Sequence, residues 1–132
     1  MPLLFSGMSS HPDIFFGATL KMKVEPFHYC VFISDPKPPD GAILMVRLTE
    51  LSERWEDHCV LSNADYPRLR KPTVPAYRAA DCGPAIEFQA LVDNRSMDVV
   101  PRVSAECLKK IITGARESDE ISPKIRNMLP PI

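Results

Sequence analysis

The stretch His28-Tyr29-Cys30-Val31-Phe32-Ile33-Ser34-Asp35-Pro36-Lys37-Pro38-Pro39-Asp40-Gly41-Ala42-Ile43-Leu44-Met45-Val46-Arg47-Leu48-Thr49 decides how this chain is built. Its two ends are dense in β-branched and aromatic residues, and its middle is a run of Pro, Asp and Gly. That is the composition of two strands joined by a turn. Antiparallel partners run in opposite directions. With Asp35 and Ala42 closing the loop, His28 faces Thr49, Cys30 faces Arg47 and Phe32 faces Met45. One face of the hairpin then carries His28, Arg47 and Thr49 at its open end, and Phe32, Ile43 and Met45 nearer the loop. A slip of one residue would scatter this set over both faces.

Outward from the hairpin, Leu20, Met22 and Val24 alternate with Lys21 and Lys23, which predicts a half-buried strand ending at Pro26. Further short strands are expected at residues 59–61, at 86–92 and at 97–100, and residues 74–79, at the end of the basic stretch, are expected to be extended. After Pro101 the period changes. Ser104 can cap a helix whose apolar positions Leu108, Ile111, Ile112 and Ala115 follow the i, i+3, i+4, i+7 rule, with Gly114 as its stop. Ser122-Pro123 has the form of a helix start and opens a short second helix carrying Ile125, Met128 and Leu129. The expected fold is mainly β, with about five or six short antiparallel strands and C-terminal α-helices over about 103–129 closing one side. Residues 1–13 show no period and read as a flexible N-terminal arm, with a single domain over 14–132.

Composition agrees. Fourteen Pro against five Gly among 132 residues chop the chain into short strands and loops and argue against a helical bundle. Lys and Arg total 16 against 17 Asp and Glu, for a net charge of −1. Any phosphate-bearing partner must therefore be held by a local patch. No apolar run approaches the roughly 18 residues of a membrane span, and Met1-Pro2-Leu3-Leu4-Phe5 lacks the marks of a signal peptide. A soluble, cytoplasmic protein with no membrane partner is expected. The four cysteines lack the paired knuckles of a structural zinc site, so free and mostly buried thiols are expected, with no metal and no cofactor. Signatures of nucleotide-dependent transfer, dinucleotide binding, zinc proteolysis and serine hydrolysis are missing.

Two groups of residues carry chemistry. Imidazole exchanges protons near neutral pH, guanidinium stabilises charge on a phosphorane, and a hydroxyl orients a phosphate oxygen, so His28, Arg47 and Thr49 together suit phosphodiester cleavage without a metal. The same residues also suit a plain structural role, with Arg47 pairing to the acidic segment 50–58. The second group is the basic stretch 66–78, with Arg68, Arg70, Lys71 and Arg78 beside Tyr66 and Tyr77. Cations attract phosphate and rings stack unpaired bases, although a surface loop can be basic for solubility alone.

The order of these parts resembles a known family. The segment from His28 to Pro36, then Ala42 to Thr49, Cys59-Val60-Leu61, Asp65-Tyr66-Pro67, Thr73-Val74-Pro75-Ala76-Tyr77 and the closing Ile121-Ser122-Pro123-Lys124-Ile125-Arg126 resemble the PemK/MazF-like toxins of type II toxin–antitoxin systems. The resemblance implies a small SH3-like β-barrel with a C-terminal helix, usually a homodimer. It also implies a metal-independent endoribonuclease that cuts single-stranded RNA and is neutralised by an antitoxin protein. Thr49 matches the family's catalytic Thr, whereas His28 stands where the family has its Arg. The resemblance leaves three outcomes: His28 takes that role, Arg47 or Arg78 replaces it, or cleavage is lost and a non-catalytic barrel binds RNA or a protein partner. Divergent relatives carry His near Tyr66, and a later polar contact of the family falls near Tyr77 or Arg78.

Overall fold

A computed structural model describes residues 11–24 and 27–131. Six strands form one antiparallel sheet: β1 (Thr19–Met22), β2 (Tyr29–Phe32), β3 (Ala42–Glu50), β4 (Thr73–Pro75), β5 (Asp81–Pro84) and β6 (Met97–Val100). The order is β4-β3-β2-β1-β6, with β5 also pairing to β3. Among the described residues the sheet is open, since β4 and β6 lie at opposite ends of this path.

The central hairpin has the expected register, with Cys30 opposite Arg47 and Phe32 opposite Met45. Its loop closes differently. Lys37, rather than Asp35, bridges to Ala42, and the Lys37 carbonyl accepts from the amides of Gly41 and Ala42. Pro36 has no N–H to give a ladder, so the strand leaves the pairing after Ile33, whose amide reaches Leu44, and Ser34 Oγ takes the Leu44 amide at 2.9 Å. Gly41, at φ +73°, supplies the left-handed turn back into β3.

Alternation along β3 divides the interior in two. Leu44, Val46 and Leu48 point to one face, with Val31 and Ile33 of β2, and pack under Leu108, Ile111, Ile112 and Ala115 of α2 (Ala105–Glu117). Ile43 points to the other face with Cys30 and Phe32, beneath Phe88 of α1 (Ala85–Asp93). The Phe32 and Phe88 rings meet edge to face at 5.1 Å. Burying a ring like Phe32 completely contributes about 3 kcal/mol.

Along its other edge β3 meets two strands in succession. Leu48 lies opposite Pro75 and Met45 opposite Asp81, so three steps on β3 match six on the partner. The surplus is taken up by a 3-10 turn at Tyr77–Ala79, so the extended backbone expected over 74–79 is found at Val74 and Pro75 and ends before the turn.

The segment 86–92 is helix, not strand. Ala85, Phe88 and Gln89 are buried at helical spacing, while Ile86 and Leu91 face outward. Gln89 occupies the position where an apolar residue would have marked the stripe. Its amide donates to Asp13 at 2.8 Å and Asp93 at 3.1 Å, and its carbonyl accepts from the Asp13 amide. This ties down the last residue of the expected arm; residues 1–10 of that arm lie outside the described residues. So does Pro26, the expected end of β1. Within 59–61 only Leu61 is paired, through a bridge to Thr73.

The C-terminal helices begin as predicted. Ser104 Oγ accepts from the Cys107 amide at 3.0 Å, and Ser122 Oγ accepts from the Ile125 amide at the start of α3 (Pro123–Arg126). Ser104→Ala should lower stability by about 1 kcal/mol, read as a shift in the urea midpoint. Gly114 does not stop α2, which continues to Glu117.

Candidate functional site

A cavity of about 390 Å³ opens where the ends of β2 and β3 meet the segment leading into β4. His28, Thr49, Arg68, Arg70 and Lys71 all line it. Local structure explains the convergence. Leu69 is buried in the core and pins its segment, so Arg68 and Arg70 on either side of it stay exposed. Pairing of Glu50 with Thr73, and of the Leu51 amide with the Pro72 carbonyl, then holds this basic segment beside the end of β3.

The Met22 amide donates to the backbone carbonyl of His28, which ties the end of β1 to the residue before β2. Its Nδ1 lies 3.0 Å from the Leu48 carbonyl oxygen. A carbonyl only accepts, so Nδ1 carries the hydrogen and the neutral ring keeps its lone pair on Nε2. That is the tautomer a proton acceptor needs. Thr49 is half-buried, pairs with Val74 through the backbone, and its hydroxyl has no hydrogen bond among the described residues.

Arg47 departs from expectation. It shares the face of Thr49 but lines a separate cavity with Cys30, Asp81, Met45 and Phe88. No carboxylate comes within ion-pair distance of it among the described residues, so the expected pairing with segment 50–58 is not made either. Burial raises the neighbouring Cys30 thiol to about 12, against the opposing pull of Arg47. Arg78 also lies apart. Its guanidinium stands 4.5 Å from the Trp55 ring centroid and 3.4 Å from Glu120.

Tyr77 cannot stack a base. It is 2% exposed, and its hydroxyl donates to the Ile111 carbonyl at 2.7 Å, inside the core. Burial raises its phenol far above the ordinary range. Tyr66 is likewise buried, donating to the Pro101 carbonyl at 2.6 Å, with its phenol raised to about 12 by burial. Both rings were drawn inward because each hydroxyl finds a backbone carbonyl there.

Among the lining residues that escaped sequence reasoning, three bear on the site's chemistry. Phe27 and Tyr29 supply rings at the rim, and Lys21 Nζ lies 5.9 Å and 5.8 Å from their centroids. Lys21 pairs with Tyr29 in the β1–β2 ladder, a register that was not assigned from the sequence. Glu50 is the third, and it sits 3.6 Å from Lys71 in an exposed pair. Cys30, Cys59 and Cys107 are buried free thiols, while Cys82 is exposed.

The arrangement offers an imidazole, a hydroxyl and three cations around one open groove with two rings at its rim. That combination can hold a phosphodiester and accept a proton beside it. No helix among the described residues is long and apolar enough to cross a membrane. Compared with family models, curated proteins and solved structures, the chain matches none.

Proposed function

We propose that the protein is a divergent PemK/MazF-like toxin: a cytoplasmic, homodimeric, metal-independent endoribonuclease that cuts single-stranded RNA and is silenced by an antitoxin protein. In this reading the open sheet is an opened form of the SH3-like barrel, with β3 as its shared central strand. The observation that carries the proposal is the meeting of His28 and Thr49 with Arg68, Arg70 and Lys71 in one cavity.

The chemistry runs as follows. His28 Nε2 takes the proton of a ribose 2′-hydroxyl, and the 2′-oxygen forms a bond to phosphorus. The bond to the 5′-oxygen breaks, and that oxygen takes a proton from water in the open groove. The products are a 2′,3′-cyclic phosphate and a 5′-hydroxyl. Arg68 or Arg70 takes the charge-stabilising part first expected of Arg47 or Arg78, and Thr49 orients a phosphate oxygen.

The test is cleavage of unstructured RNA in excess EDTA, together with binding measured over a range of salt. Each of Arg68→Ala and Arg70→Ala should weaken binding to all sequences alike and reduce the slope of log affinity against log salt by about 0.7. Unchanged slopes would remove these residues from the phosphate site. The Arg-to-His departure at position 28 favours one second reading, a barrel that binds RNA or a protein partner without cutting, and binding without cleavage would select it.

A further inference from the structure

We infer that Phe27 is a stacking platform for an unpaired base of bound single-stranded RNA, a role that rests on the reading of the cavity as an RNA site. A single exposed apolar side chain is ordinary; the surroundings of this one are not. Among the described residues two aromatic side chains are exposed, Phe27 at 55% and Phe15 at 37%, and each has a cation near its ring, Lys21 at 5.9 Å for Phe27 and Arg102 at 5.6 Å for Phe15.

Phe27 borders the groove that holds Arg68, Arg70 and Lys71. Lys21 stands near its ring and near that of Tyr29, which places a cation between two aromatic groups. The backbone bond between the Met22 amide and the His28 carbonyl anchors the neighbouring residue, so the ring projects from the base of a ladder. An exposed ring beside the cations of an open groove matches a single strand, whose bases stack while its phosphates track the charge. A duplex, with its bases already stacked, has nothing to offer the ring.

The experiment is fluorescence anisotropy with a labelled, non-self-complementary twelve-nucleotide RNA, alone and annealed to its complement. Phe27→Ala should weaken binding of the single strand about tenfold, with its salt slope unchanged because no phosphate contact is lost. Phe27→Trp should restore the affinity, and the duplex should bind both variants equally. Single-strand affinity of Phe27→Ala equal to that of the unaltered protein overturns the inference, as it would if the ring served to dock a protein, and leaves the phosphate site standing. A reduced salt slope in Phe27→Ala also overturns it. Failure of the unaltered protein to bind RNA at any salt overturns the RNA site itself, and this role with it.

Discussion

His28→Ala is expected to cut the rate of RNA cleavage in excess EDTA by about 10²–10⁴-fold, the range for loss of a positioned general base. RNA binding and the fold should survive. His28 is only half-buried, and the one hydrogen bond of its ring among the described residues, to the Leu48 carbonyl, contributes about 1 kcal/mol to stability. Thr49→Ala should lower the rate by about 10²-fold, as loss of a single donor to developing charge does, and Thr49→Ser should keep most of the activity. Expression toxicity that disappears in the Thr49→Ala protein is the quickest form of the measurement. Cleavage by His28→Ala at the original rate would remove the imidazole from the chemistry.

Gly114→Ala is expected to destabilise the protein by about 2 kcal/mol, although alanine is the better helix former by about 1 kcal/mol. The two effects have opposite signs, and contact decides between them. A Cβ at position 114 would collide with the Tyr77 hydroxyl and come within 2.8 Å of Cys59 Cβ and 3.2 Å of Tyr77 Cζ. The hydroxyl cannot swing aside without losing the Ile111 carbonyl, and Cys59 is itself packed in the core. The urea midpoint should therefore fall. Tyr77→Phe removes the colliding oxygen, so the double variant should be more stable than the two single losses predict together. A rise in the midpoint of Gly114→Ala would mean that helix propensity outweighs packing here.

The hairpin register was legible because two apolar strands flank an unmistakable Pro-rich turn. The starts of α2 and α3 were legible for a related reason, since Ser104 and Ser122 act on amides only three residues away. Helix α1 was hidden by Gln89, a polar side chain buried between Asp13 and Asp93, the first of them distant in sequence. Gly114 read as a helix stop because its small size serves a contact with Tyr77, on a different element.

Within the site, the sharing of one cavity by His28 and Thr49 followed from the hairpin register, whose last pair, Tyr29 with Leu48, lies one step before them. The separation of Arg47 did not, because its neighbours Asp81 and Phe88 arrive from β5 and α1. Tyr77 and Arg68 lie in one basic stretch, yet one is sealed in the core and the other stands open. Alternation, capping and turn chemistry act over a few residues, so strands, register and helix starts could be read along the chain. Which ring is swallowed and which guanidinium reaches the groove depends on packing between elements far apart in sequence, where a nearby carbonyl or a missing Cβ settles the matter.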